Sequence, residues 1–201
     1  TAKAKRRAYL NEEYWAKPVP AFGDPYAKVI VVGLAPGAHG SNRTGRMFTG
    51  DASGNFLYPA LFRAGFANHA ITSQRDDGLI LNDILISAVC RCAPPGNKPL
   101  KSEMKNCLPF LMREITIIHP QGFVALGRVA FENVLAVFHE MYRNNLVIKA
   151  SFYHAAFYRF KPGLPWLLAS YHPSRQNTQT KRLTSGMFDD IWQRVKLELS
   201  N

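Results

Sequence analysis

Apolar and polar positions divide the chain into short continuous apolar runs and longer stretches with helical spacing. The runs Val29–Leu34, Ile84–Cys92, Phe123–Leu126 and Trp166–Tyr171 are short and mostly aliphatic, and they predict strands buried on both faces. Near Gly54–Ala64, Ser102–Ile118 and Val129–Tyr142 the apolar residues recur at spacings of three and four, which predicts helices with one buried face. Residues 1–27 are basic, then aromatic, then rich in Pro and Gly, and read as a short helix followed by an extended arm. The stretch 143–165 fits a hairpin or a long ordered loop equally well. No internal repeat or low-complexity tract interrupts the pattern.

This alternation predicts an α/β fold, a three-layer α/β/α sandwich around a small parallel sheet of about four strands. The expected organisation is an N-terminal arm over 1–27 and one α/β domain over 28–201. Open sheets of this kind bind ligands beyond the carboxyl ends of their strands. Three turn-rich polar segments occupy those places: Gly33–Asp51, Ala93–Asn97 and His172–Asn177.

Composition narrows the partner. The 201 residues, 47% of them hydrophobic, suffice for one core, and 25 Lys and Arg against 14 Asp and Glu leave a formal charge of +11. Such a surface attracts phosphate-rich polymers, so nucleic acid is the expected partner. No apolar run reaches the roughly 20 residues of a membrane span, and no signal-peptide core is present. A soluble, cytoplasmic monomer is expected. Three cysteines, an odd number, point to reduced thiols or metal ligands in preference to a disulfide framework. The chain starts without an initiating Met, and an N-terminal piece is expected to precede it.

The segment after the first strand, GLAPGAHGSNRTGRMFTGD, lacks both the GxGxxG spacing of a dinucleotide site and the lysine of a phosphate loop. A turn built on Gly33, Pro36 and Gly37, with His39, Asn42, Arg43 and Arg46 around it and Phe48 behind, is able to surround a flat polar ring. A structural turn with solvated arginines would look the same. His172 and Ser174 sit where an α/β crevice opens, and Arg175, Gln176, Asn177, Lys181 and Arg182 form a polar, basic run suited to a DNA backbone or to a gap in a base stack. Cys92 and Cys107 cannot complete a metal site between them. Cys90 is a poor third ligand if 84–92 is a strand, since it would share a face with Cys92 on a rigid backbone.

Together these segments resemble the uracil-DNA glycosylase superfamily, and within it the family 5, or B-type, enzymes. Gly33-Leu34-Ala35-Pro36-Gly37 with Asn42 to Asp51 is similar to that family's first motif, and Tyr171-His172-Pro173-Ser174 with Gln176-Asn177 to its second. Arg91 to Pro99 and Cys107 to Leu111 resemble its iron–sulfur segment, and the likeness runs from about Arg6 to Leu199. The resemblance implies a glycosylase that removes uracil, and other deaminated bases such as hypoxanthine and xanthine, from DNA. Gly33, Ala35, Gly37, His39, Phe48 and Ser87 would hold the base. Phe48 would stack on it, and His172 would hydrogen-bond the carbonyl on which negative charge accumulates. Other branches carry an acidic or amide residue where this chain has Leu34-Ala35, so either Asn42 or Asp51 would position the water. Asp51 is equally placed to cap a helix beginning near Ser53. Arg43, Arg46, Ser174, Arg175, Gln176 and Asn177 would contact DNA. Cys92 and Cys107 would ligate a structural 4Fe-4S cluster, its other two ligands coming from an upstream CxxC that lies outside this sequence. Two rival readings are a catalytically silent reader of damaged or single-stranded DNA and a hydrolase of free nucleotides. The absence of a metal-binding carboxylate group speaks against the second.

Overall fold

A computed structural model describes residues 5–142 and 149–200. Its centre is formed by β2 (Val29–Gly33), β3 (Ile84–Ala88), β4 (Gly122–Leu126) and β6 (Trp166–Ser170), all buried along their length. These four strands run parallel, and two-residue strands, β1 (Phe22–Gly23) and β5 (Phe157–Tyr158), close the edges in antiparallel register to give the order β1-β3-β2-β4-β6-β5. The sheet is therefore six strands wide where about four are predicted. The additions are too short to carry a periodic signal, which is why the pattern of residues did not announce them.

Successive side chains of a strand face opposite ways, and the core divides accordingly. Val29, Val31, Ile84, Ile86, Val124 and Leu168 pack toward α2 (Gly54–Arg63) and α6 (Ser185–Leu199). Ile30, Val32, Leu85, Phe123, Ala125 and Leu167 pack toward α3 (Lys101–Ile118) and α4 (Arg128–Met141). Helices thus cover both faces, as the expected sandwich requires. The C-terminal helix α6, absent from the predicted elements, buries Phe188, Ile191, Trp192 and Val195, a repeat of three and four among polar and charged neighbours. Among the described residues no helix is long and apolar enough to cross a membrane.

Two boundaries differ from expectation. The run 84–92 stops being a strand at Ala88, because the chain bends out of the sheet while Val89 and Cys90 still donate backbone hydrogen bonds to the Gly33 and Leu34 carbonyls. Cys90 and Cys92 therefore do not share the face of a strand. The N-terminal arm forms only one 3-10 turn at Arg7–Tyr9 before running extended into β1, and it buries Tyr14 and Val19 in the body of the protein. Of the ambiguous stretch 143–165, residues 143–148 lie outside the described residues and the remainder contributes β5.

Candidate active site

The carboxyl ends of β2, β3 and β6 open into a cavity of about 720 Å³. Leu34, Ala35 and Gly37 from the loop after β2, Ala88 from β3, and His172 and Ser174 from the loop after β6 line it, together with His39, Phe48, Asp51 and Asn55. Its rim carries Arg6, Tyr9 and Arg175.

Glycine makes this floor possible. A Cβ on Gly33 would lie 2.8 and 2.9 Å from atoms of the Phe48 ring, so the ring packs directly against bare backbone. Phe48 itself has a φ of 53°, a conformation unfavourable for a bulky side chain and characteristic of functional sites. Its peptide is held where a Cβ on Gly54 would come 1.6 Å from the Phe48 carbonyl oxygen. The His172 ring stands beside it, centroids 6.0 Å apart and planes inclined by 30°. Burial strips water from that imidazole and pushes its pKa down to about 4, so it is neutral at physiological pH and offers one N–H. Asn177 donates to the His172 carbonyl at 2.9 Å, and Ser174 accepts from the Asn177 N–H as the cap of α5 (Arg175–Gln179).

Asp51 divides its carboxylate between two tasks. Oδ1 accepts from the Ser53 and Gly54 N–H groups at 3.0 Å each, capping α2, while Oδ2 faces the backbone of Gly37 and Gly40, where an added Cβ would come within 2.9 and 2.2 Å. Burial raises its pKa against the lowering effect of those two N–H groups. Asn42, by contrast, is buried on the short helix α1 (Ser41–Thr44) and donates to the Ala38 carbonyl at 3.2 Å. It braces the loop from behind and does not line the cavity.

Three further expectations need correction. Arg46 is only 2% exposed and forms a fork onto both carboxylate oxygens of Asp77 at 2.7 and 2.6 Å, with Thr49, Thr72 and the Arg75 carbonyl completing its bonds. A cation so enclosed is not available to phosphate. Arg43 is mostly covered, pairs with Glu12, donates to the His39 carbonyl at 2.8 Å and lies 4.1 Å over the Tyr9 ring. Ser87 is fully buried and donates to Glu114 on α3 at 2.7 Å, so its hydroxyl serves the helix layer and is absent from the cavity wall. Gln176 and Arg175 are exposed, as a DNA contact requires.

Other residues of the site were not singled out in the sequence. Asn97 reaches the cavity from the turn after β3, with a φ of 57°, and its place in a polar turn beyond a strand end was the available signal. Arg6 and Tyr9 reach it from the arm, which no local pattern could show. Outside the cavity lining, exposed Arg128 and Arg182, the latter from the basic run already noted in the sequence, lie over Phe152 and Tyr171 at 5.1 and 4.7 Å.

Comparison with known proteins decides the family. The profile of the Uracil DNA glycosylase superfamily matches residues 20–196. The chain belongs to that superfamily. It is 49% identical over 194 residues to a Type-5 uracil-DNA glycosylase of Thermus thermophilus, covering 96% of this chain and 85% of that protein. It is 45% identical to the Type-5 enzyme of Mycobacterium leprae over 97% of this chain and 84% of that one, whereas a Type-4 uracil-DNA glycosylase of Pyrobaculum aerophilum shares 34% over 59% of this chain and 53% of its own length.

Type-5 likeness raises the question of the iron–sulfur cluster. Cys92 is exposed and Cys107 half-buried, and the two thiols are close enough to interact, whereas the buried Cys90 thiol is pushed up to about 12, first by burial and then by Cys107. Four thiolates hold a four-iron cluster. Among the described residues no group of three or more metal-binding side chains converges. Cys92 and Cys107 are thus two neighbouring thiols where a four-iron cluster needs four.

Proposed function

We propose that this protein is a monofunctional DNA glycosylase that flips uracil, and other deaminated bases such as hypoxanthine and xanthine, into the cavity and hydrolyses the bond to deoxyribose. The observation that carries this reading is the convergence of Phe48, His172 and Asp51 on a single cavity at the strand ends, Asp51 Oδ2 having no hydrogen bond among the described residues. Membership of the superfamily supports it, as do the names of the relatives.

The bond from C1′ to the base nitrogen breaks with its electron pair on the base. The N–H of neutral His172 donates to a base carbonyl and stabilises the anion as it forms, and a fixed donor in a site poor in water acts without reorganisation. A neutral imidazole suits that role, because it lends a hydrogen bond and keeps its proton. Water bound at Asp51 Oδ2 adds its oxygen to C1′ while its proton passes to the carboxylate and on, through solvent, to the departed base. Asp51 is the better of the two candidates because it lines the cavity and Asn42 does not. The strand is left uncut: among the described residues no lysine lines the cavity to form a Schiff base. Arg6, Arg175 and Gln176 at the rim would meet the DNA, with affinity falling steeply as salt is added. Cys92 and Cys107 would hold a structural iron–sulfur cluster, whose contribution when bound is to tie the turn after β3 to α3.

Single-turnover reaction of an oligonucleotide carrying one uracil tests the proposal. Abasic sites revealed only by alkali, formed at least about ten-fold more slowly by His172→Ala, are expected. Binding with no abasic product would make the protein a silent reader of damaged DNA.

A further inference from the structure

The cavity holds a second histidine whose surroundings differ from those of His172. His39 hydrogen-bonds through Nδ1 to the Tyr14 hydroxyl at 2.8 Å, and the Tyr9 ring stacks on it with centroids 6.4 Å apart and planes inclined by 28°. Tyr14 approaches edge-on at 6.0 Å. The buried phenol has its pKa raised, first by burial, so it keeps its proton. Imidazole nitrogen is a stronger acceptor than phenol oxygen, and among the described residues Nδ1 is the acceptor recorded for this hydroxyl. Tyr14 therefore donates, Nδ1 accepts, and the ring proton of neutral His39 resides on Nε2. Burial, then Arg6 and Arg43, lowers the His39 pKa and favours that neutral form.

What Nε2–H faces follows from its neighbours. Arg6 is exposed, lines the cavity and has no ion pair recorded among the described residues, and Arg43 stands behind the His39 carbonyl. The His172 and Phe48 end, by contrast, is aromatic, with Arg175 following on the loop that carries His172. A nucleotide whose base enters at the aromatic end presents its anionic backbone at the other. We infer that His39 Nε2–H and Arg6 form a subsite for a phosphate flanking the extruded nucleotide, and that Tyr14 is a positioning residue that fixes the orientation of His39 for this contact. The inference rests on the glycosylase reading only for the identity of the anion.

Its test has two stages. Nitrogen NMR of the free protein is expected to show His39 protonated at Nε2 and bare at Nδ1. A proton on Nδ1 would overturn the assignment, whatever the protein does to DNA. Binding of a uracil oligonucleotide under conditions that precede cleavage is then compared for the wild type, Tyr14→Phe, His39→Leu and His39→Gln, whose amide N–H₂ reaches where Nε2–H does. A hydrogen bond to a charged group leads one to expect about ten-fold weaker binding for His39→Leu and about three-fold for Tyr14→Phe, with substantial recovery in His39→Gln. Replacing the flanking phosphates one at a time by uncharged methylphosphonate should erase the difference between wild type and His39→Leu at one of them. Differences that persist with both replacements would refute the phosphate subsite. Failure of the glycosylase reading would appear separately, as equal affinity for uracil-containing and undamaged DNA. Thermal melting of each variant distinguishes loss of the contact from loss of the fold.

Discussion

Asp51→Asn alters one atom of the side chain and keeps its shape, so it separates the two tasks assigned to this carboxylate. As a cap, asparagine is about as good as aspartate, whereas Ala forfeits both bonds to Ser53 and Gly54 at a cost of about 1 to 2 kcal/mol. For a chain of this size that corresponds to a melting temperature lower by roughly 2 to 8 °C. Burial also raises the Asp51 pKa, which fixes the sign of a second effect. A raised carboxyl favours the protonated native state, so its stabilising contribution is full below the unfolded pKa and is lost as pH rises through the folded one. At pH 7 to 8 the ionised group is thus a cost that Asn removes. Asp51→Asn should melt no lower than the wild type there, and the difference between the two should shift toward the wild type as pH falls through the Asp51 pKa. Chemistry should move the other way. Without a carboxylate to take the proton from water, single-turnover cleavage is expected to slow by about 10² to 10⁴-fold, and its acid limb should disappear. Cleavage within about five-fold of the wild type would refute the assignment of the water to Asp51. Equal melting of the Asn and Ala variants would refute the cap.

The Arg46–Asp77 pair gives a prediction of the opposite kind: Arg46→Ala removes the buried member and leaves the half-buried Asp77 carboxylate unpaired, which should cost about 3 kcal/mol in denaturant unfolding, the low end for a buried pair, with no change in the salt dependence of DNA binding. Native Asp77 is held below the usual carboxylate range because the Arg46 bonds and the Ser73 and Leu79 N–H groups outweigh its burial. That stability is present above pH 3.8 and is lost as pH falls further, so the Arg46→Ala penalty should shrink in acid. His172, whose pKa drops from 6.5 to about 4, binds fewer protons folded than unfolded in that window. Its contribution should be complete above pH 6.5 and decline toward pH 4, and His172→Ala should flatten that part of the stability curve. Ser87→Ala should lose about 1 kcal/mol through the bond to Glu114 while leaving the ratio of uracil to hypoxanthine cleavage unchanged. A changed ratio would return Ser87 to the base pocket.

Much of this molecule is present in its local patterns. Aliphatic runs such as Val29 to Val32 leave no choice but a strand buried on both faces, and four of them alternating with amphipathic segments imply a parallel sheet under helices. The positions of His172 and of the glycine-rich loop follow from the rule that strand ends face the ligand. Local order also accounts for Gly33, since the segment that contains it contains Phe48 as well. What the sequence left open are contacts between segments far apart in the chain. Arg43 and Arg46 are three residues apart and look alike, yet their partners, Glu12 and Asp77, stand 31 residues away on opposite sides. A charge becomes structural or available according to the carboxylate that folding brings to it. The same holds for Ser87, whose strand position set its face but whose partner, Glu114, had to arrive on a helix. It holds again for the arm, which carries Arg6, Tyr9 and Tyr14 to His39. Asp51 stands between the two cases. Its place before α2 was legible as a cap, but only packing against Gly37 and Gly40 left its second oxygen facing the cavity.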